Sequence, residues 1–592
     1  MAPLLVAVPL LAGAALLVTG AGRFARVTAL AAAVATLALA ITAAVTRPAV
    51  DLAFLDGVTF GLRVDGLSAV MVVTVAVVLL AVLVFAVGDI HDAPARFFGL
   101  MLVFAGAMLV TVTATTLVAL LMAWEVMGAA SYALIGFRWR EPRRASSGAV
   151  ALLTTRAADL GLYLAAGAAL AGGARGLGLD ALAGLPDGWR DAVAAGIVLA
   201  ALGKSAQLPF SFWLSRAMDG PSPVSALLHS ATMVAAGGYL LLRLAPLLAA
   251  TPWAALVVAW AGAATAVLLG AVAVVQDDLK QVLAASTCAQ VGFIVLAAGT
   301  GGVAAGGAHL VAHALVKSLL FLCAGAWLTA VGTKSLPALR GAARHHPLVG
   351  VTFTAGALAL AGVPPLSLWA TKDHVLTGTP TALHLAGLAA GVLSAVYAGR
   401  ALALVWAPGG EPRGRVGAWQ HAPLPPLAVG AVALGVLAVP AVWTWFSDVD
   451  VQAWELVVSG VLALAAAAGT AAVVRRRDVP ANAVLLDWLR LETAARVLVV
   501  RPAMACAGAL ARFDDRVVAG SVRATAAVGS TFARLVDARV EWSVDGLVRG
   551  LARGFRALGK LARRPQTGQL HHYYAQAVVA LAALAVLLLV LG

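Results

Sequence analysis

Apolar windows recur along nearly the whole of this chain, each long enough to cross a hydrocarbon core of about 30 Å. They fall at 3–20, 24–46, 64–88, 98–119, 120–137, 148–173, 190–207, 223–246, 253–275, 281–299, 304–329, 350–371, 381–407, 424–444, 455–475 and 574–591. That makes about sixteen spans. Inside a bilayer each backbone N–H and C=O must be satisfied within the structure, so the windows are predicted to be helices. The expected fold is an all-α polytopic membrane protein. With 62% hydrophobic and 11% charged residues, little chain is left for a separate soluble domain. The first window lacks the basic n-region of a signal peptide and is expected to be a retained helix.

A net charge of +14 would suggest nucleic acid in a soluble chain, so its position matters. One set of alternate loops carries Arg23 and Arg26, then Arg138, Arg140, Arg143 and Arg144, then Lys334, Arg340 and Arg344, then Arg413 and Arg415, then Arg475 to Arg477. The other set is poor in basic residues and includes the acidic "SDVD" at 447–450. By the positive-inside rule the basic set is expected on the cytoplasmic side and both termini on the far side; the expected location is a bacterial plasma membrane. The partner implied is lipid and not nucleic acid.

Most of the excess charge lies in 475–573, with 17 Lys and Arg against 8 Asp and Glu. Val528, Phe532, Leu535, Val540, Val544, Leu547, Leu551, Phe555 and Leu558 recur there at helical spacing, with Arg534, Arg539, Arg549, Arg553 and Arg556 between them. This predicts a long amphipathic helix on the cytoplasmic side. It either floats in the interface with its arginines snorkelling to headgroups or lies along neighbouring membrane subunits.

The chain has only six lysines, and Lys204, Lys317 and Lys372 sit in or at the end of apolar windows. A desolvated amine can shed its proton, whereas arginine cannot, so the choice of lysine suits proton handling. Glu125 is equally isolated in "LMAWEVMGAASYALIGF". Glu125 and Lys204 are read either as an ion pair that fixes helix packing or as a pair whose protonation states switch together. Arg156 and Asp159, three apart, form a local pair. His309, His313 and Lys317 advance about 40° per step of four and extend over roughly 12 Å, a slanted stripe that can connect waters. His229 alone would read as a satisfied core histidine; its company makes it a relay candidate. Two histidines four apart lack an acidic ligand within 305–325, so no metal site is predicted. Cys288, Cys323 and Cys506 are isolated, which removes iron–sulfur, zinc-ribbon and c-type haem motifs. Asp278 and Lys280 open another window as an interfacial cap. Pro209 lies beside Lys204, and Pro364 and Pro365 beside Lys372, so each lysine adjoins an expected break in its helix; paired breaks suggest an inverted internal repeat.

The segments "WEVMGAASYALIGF", "GKSAQLPFSFWLSRAMDGPSPVSALLHSATMVAAGGYL", "QDDLKQVLAASTCAQVGF", "HLVAHALVKSLLFLCAG" and "TKDHVL" resemble the antiporter-like subunits of respiratory complex I. The resemblance runs from "LRVDGLSAVM" at 62–71 to "RRPQTGQLHHYY" before the last window, which is similar to the close of the subunit L type. It departs at "GVPPLSLWATKDHV", where Leu-Trp-Ala replaces the family's usual Gly-Phe-x-Ser and His374 stands where an acid is common.

What the resemblance implies is an architecture of N-terminal helices over 1–97, inverted five-helix repeats over 98–246 and 253–407, further helices over 424–475, a lateral arm over 476–573 and a final helix over 574–592. It implies Glu125 and Lys204 as the coupled pair of an uptake half-channel, Arg156 and Asp159 as an auxiliary pair, and His229 as the onward link. His309, His313 and Lys317 would form the central relay, and Lys372 with Asp373 the release pair. The chain would conduct protons, with sodium as the open alternative, and hold no cofactor. NADH, FMN, iron–sulfur clusters and quinone would belong to partner subunits. Rival assemblies with the same core segments are a multi-subunit sodium/proton antiporter, a membrane-bound hydrogenase and an inorganic-carbon uptake complex. A purely structural reading keeps the polar groups for packing alone.

Overall fold

The structure is a computed structural model that describes residues 1–55, 57–409, 414–449, 451–474 and 482–591, the side chains of 55 and 540–543 excepted. Arg413, Asp450 and Arg475 to Arg477 of the charge pattern lie outside the described residues, as does the Val540 side chain. Two compact units are present, Met1–Ala494 and Ala495–Gly592.

The first unit is a succession of helices. It opens with α1 (Ala2–Thr19) and α2 (Gly22–Thr46), then a hairpin of β1 (Ala49–Leu55) and β2 (Val58–Arg63), antiparallel with Ala49 opposite Arg63. This hairpin is a departure from an all-helical expectation. Next come α3 (Gly66–Asp89), α4 (Pro94–Thr113), α5 (Leu117–Ile135) and α6 (Pro142–Ala171). They are followed by α7 (Asp187–Lys204), α8 (Phe212–Ala217), α9 (Ser222–Leu228) and α10 (Met233–Arg243). A second group contains α11 (Pro252–Val275), α12 (Leu279–Gly299), α13 (Val303–Val331), α14 (Pro347–Ala361), α15 (Ser367–Leu376) and α16 (Thr381–Val405). The unit continues through α17 (Leu424–Ala433) and α18 (Ala453–Val474).

Fifteen helices among the described residues are long and apolar enough to cross a membrane. Fourteen coincide with windows marked in the sequence; the fifteenth, Trp488–Arg539, belongs to the arm. The windows at 190–207 and 350–371 are not single helices. The first stops at Lys204 and restarts at Phe212; the second stops at Ala361 and restarts at Ser367. Gly362 ends α14 in a left-handed backbone conformation, φ 80°, and Pro364 and Pro365 cannot donate to continue the ladder. The Leu208–Pro209 and Pro364–Pro365 peptides are cis. A further interruption, at His229–Thr232 between α9 and α10, had no proline to announce it.

Helix ends carry local signals. Asp65 and Ser68 form a capping box at the start of α3, and Asp65 also pairs with Arg243 of α10. Burial opposes ionisation of Asp65, but the Ser68 N–H and the Arg243 guanidinium outweigh it and hold the carboxyl below the usual carboxylate range. Two helix pairs cross on glycine: a Cβ on Gly161 (α6) would strike the Gly196 carbonyl (α7) and the reverse, and Gly262 (α11) and Gly292 (α12) meet in the same way. These crossings bring the backbones of α6 and α7, and of α11 and α12, into direct contact.

The second unit contains α19 (Arg501–Phe513), α20 (Ala519–Arg563) and α21 (Leu570–Leu591). The predicted amphipathic helix is thus one 45-residue helix, preceded by shorter helical segments. Its Val528, Phe532, Leu547, Phe555 and Leu558 are each more than 60% exposed.

Candidate functional site

Lys204 is the last residue of α7 and fully buried. Its Nζ lies 2.9 Å from Asp159 Oδ2 on α6 and 5.1 Å from the centre of the Trp124 ring. Trp124 Nε1 donates to the other oxygen of Asp159 at 2.6 Å. Glu125, one residue on, turns away and pairs with Arg156, with Tyr163 donating to the carboxylate at 3.1 Å. The partners expected from the sequence are therefore exchanged: Lys204 pairs with Asp159, and Glu125 with Arg156. The reason is geometric. Lys204 and Asp159 face each other across the α6–α7 contact, while Glu125 and Arg156 lie on a side that stays 30% and 43% accessible at their side chains.

From Lys204 a series of buried contacts leads on. Trp213 Nε1 of α8 donates to the Gly203 carbonyl at 3.0 Å, and its ring lies 6.2 Å from that of His229. Neither ring nitrogen of His229 has a protein partner, and its other flank is Phe321 of α13 at 6.0 Å. Ser230 Oγ accepts from Ser318 Oγ at 2.8 Å, which joins the α9–α10 interruption to α13. The next residue back, Lys317, donates to the Leu283 carbonyl at 3.0 Å and to Ser286 Oγ, both on α12. A turn further along α13 His313 is fully buried with no protein partner on either ring nitrogen, and after it His309 Nδ1 meets Thr371 Oγ1 of α15 at 2.9 Å. The slanted stripe read from the sequence is thus bracketed by polar groups at both ends.

Lys372 follows Thr371 on α15. Its Nζ donates to the Leu360 carbonyl at 3.1 Å, an acceptor freed where α14 ends, and sits 5.7 Å from the Phe293 ring centre. Asp373 accepts from Ser459 Oγ of α18 at 2.5 Å. His374 stacks on Trp443, 3.6 Å between ring centres and 15° between planes, with Nε2 3.0 Å from the Leu437 carbonyl. Asp278 caps α12 through the Lys280 and Gln281 N–H groups and pairs with Lys334. Lys280 itself points inward to the Gly220 carbonyl at 2.8 Å, so only the acid is an interfacial cap.

Lys204, His229, His309, His313, Lys317, Lys372, Asp373 and Asp159 are all buried, and the structure strings them through adjacent helices; Glu125 and Arg156 flank the series at its more open side. Sequence reasoning missed Trp124, Tyr163, Ser286, Thr371 and Ser459. Of these, Trp124, Ser286 and Thr371 lie in segments quoted above, Trp124 beside Glu125 and Thr371 beside Lys372; Tyr163 and Ser459 carried no signal.

Residues 114–398 match the family described as NADH:quinone oxidoreductase/Mrp antiporter, transmembrane. The matched stretch, 285 of 592 residues, is similar to that family. The ten residues given a relay or pairing role in the sequence all fall inside that stretch. The chain is 37% identical over 404 residues to NADH-quinone oxidoreductase subunit L of Mycobacterium tuberculosis, covering 64% of this chain and 63% of that protein. It is 39% identical over 362 residues to the chloroplastic NAD(P)H-quinone oxidoreductase subunit 5 of Zygnema circumcarinatum, covering 58% and 51%. The chain spans about half the length of the first relatives it matches, 46–51% for three of them. Among solved structures, the Mrp complex from Dietzia sp. is similar with a TM-score of 0.67 and 26% identity, covering all of this chain and 63% of that one. Respiratory complex I from Thermus thermophilus shares the antiporter-like fold, with a TM-score of 0.67 and 23% identity over 78% of this chain and 99% of that one.

Proposed function

We propose that the chain is a proton-translocating membrane subunit of a respiratory NADH:quinone oxidoreductase. The observation that carries this reading is the series of buried ionisable side chains on neighbouring helices, from Asp159–Lys204 through His229, Lys317, His313 and His309 to Lys372–Asp373. Burying so many such groups is costly, and within membrane spans they mark ion pathways. Neutral imidazoles with open nitrogens accept and donate in turn, and buried lysines hold or release a proton as their partners approach or withdraw.

In this cycle Asp159 is the direct counter-charge of Lys204. Drawing it away destabilises the lysine's positive charge and drives the proton toward His229. The Glu125–Arg156 pair, reached through Tyr163, sits on the accessible side as the point of uptake. Redox energy would come from partner subunits, which also hold NADH, FMN, iron–sulfur clusters and quinone. The basic loops support uptake from the cytoplasmic side of a bacterial plasma membrane, with both termini opposite. The inverted repeats over 98–246 and 253–407 are supported by their broken fourth members, α7–α8 and α14–α15.

Replacing Lys204 by Met in the assembled complex is expected to cut proton translocation by about tenfold or more while leaving the complex in the membrane. Dye-monitored acidification of vesicles checks this, and unchanged flux overturns the reading. A second reading, a subunit of a sodium/proton antiporter, is favoured by the Mrp likeness, which extends over the whole chain. Identifying the subunits that co-purify with the native chain separates the two.

A further inference from the structure

Three features converge on α15, and all of them involve α18, which lies beyond the matched stretch 114–398. The first is how α18 is held there. Trp369, one of the residues by which this chain departs from the usual family pattern, donates its indole N–H toward the Leu456 carbonyl at 3.1 Å and Ser459 Oγ at 3.2 Å. Gly460 takes the backbone of α18 against Pro364, where a Cβ would meet the proline ring at 2.5 Å. The second is the Ser459 hydroxyl, which donates to Asp373. The third is Glu455, one helical turn from Ser459 and on the same face, with Oε2 3.4 Å from Thr377 Oγ1.

Two small cavities join these groups. One of about 30 Å³ is lined by Lys372, Asp373 and Ser459, and one of about 20 Å³ by Asp373, His384 and Glu455. Each has room for a water, and Asp373 borders both. Glutamate is scarce, six in the chain, and this one opens an otherwise apolar helix. A helix N-terminus alone would favour an acid at that position, and Glu455 Oε2 does lie 3.4 Å from the Gln452 N–H. A capping role, however, accounts neither for a cavity shared with Asp373 nor for the two bonds that fix α18 at the interrupted helix.

We propose that Glu455 is the last relay carboxylate of this chain, taking the proton from Asp373 and passing it to water beyond the membrane core. The inference rests on the proton-translocating reading above. The Lys372 ammonium gives its proton, through water in the first cavity, to the Asp373 carboxylate; an N–H bond breaks, an O–H bond forms, and a neutral amine remains. The proton then moves through the second cavity from the Asp373 carboxyl to the Glu455 carboxylate and leaves as hydronium. Both carboxylates are restored, and the next proton from His309 recharges Lys372. Ser459 is a positioning residue that orients Asp373. The titratable groups facing Glu455 are Asp373 of α15 and His384 of α16.

The test measures proton translocation per redox turnover in vesicles carrying the whole complex, normalised to the amount assembled, for Glu455→Gln, Glu455→Asp and, separately, Lys204→Met. The expected result is a fall of about tenfold in Glu455→Gln with most of the flux restored in Glu455→Asp. Full flux in Glu455→Gln alongside loss in Lys204→Met overturns the proposal and leaves the wider reading intact. Full flux in both overturns the wider reading as well. Equal loss in Glu455→Gln and Glu455→Asp makes Glu455 a packing residue and overturns the proposal.

Discussion

Two carboxylates can look alike in an apolar helix and yet face unlike surroundings, as Glu125 and Asp159 do. Asp159 is 3% accessible at its side chain and sits against a fully buried lysine; Glu125 is 30% accessible and shares Arg156 with Tyr163. Removing one member of a buried pair strands the other, at about 3–5 kcal/mol unless the lysine deprotonates. Asp159→Asn is therefore expected to lower both flux and the thermal stability of the complex more than Glu125→Gln, as a melting curve beside a flux assay would show. The residues themselves were legible because charge is rare in such windows. Their pairing was not, since it depends on which helices touch and how far each side chain reaches, and neither Trp124 nor Tyr163 advertises a hydrogen bond in a string of letters.

Elements were readable wherever length and apolarity decided them, and misread where a helix is interrupted without proline. The breaks at Pro209 and at Pro364–Pro365 could be foreseen; the one at His229–Thr232 could not. The hairpin over 49–63 was passed over because its alternating side chains are few and lie between two stronger helical signals. The glycine crossings were also silent in the sequence, where Gly161, Gly196, Gly262 and Gly292 are four among 60 glycines. They give an element-scale prediction. Gly196→Leu would drive a side chain into the α6 backbone, at about 1–3 kcal/mol or more, and separate Asp159 from Lys204. Less assembled complex and lower flux per complex are expected, whereas Gly167→Leu, which meets open space, should change neither.

For the whole molecule, the alternation of basic loops supplied the expectation of sidedness and the apolar face of α20 that of lateral contact. Phe532 and Phe555 are 68% and 69% exposed on that face. Replacing both by Glu is expected to leave the chain inserted in the membrane but to reduce its recovery with other subunits after mild detergent extraction, as native gels would report. The glycine seams also divide stiffness from play. Backbones that touch with nothing between them cannot slide past each other without collision, so any mechanical stroke from a neighbour would be taken up by the interrupted spans, and a covalent staple across one of those gaps is expected to stall its transmission sooner than one across a seam.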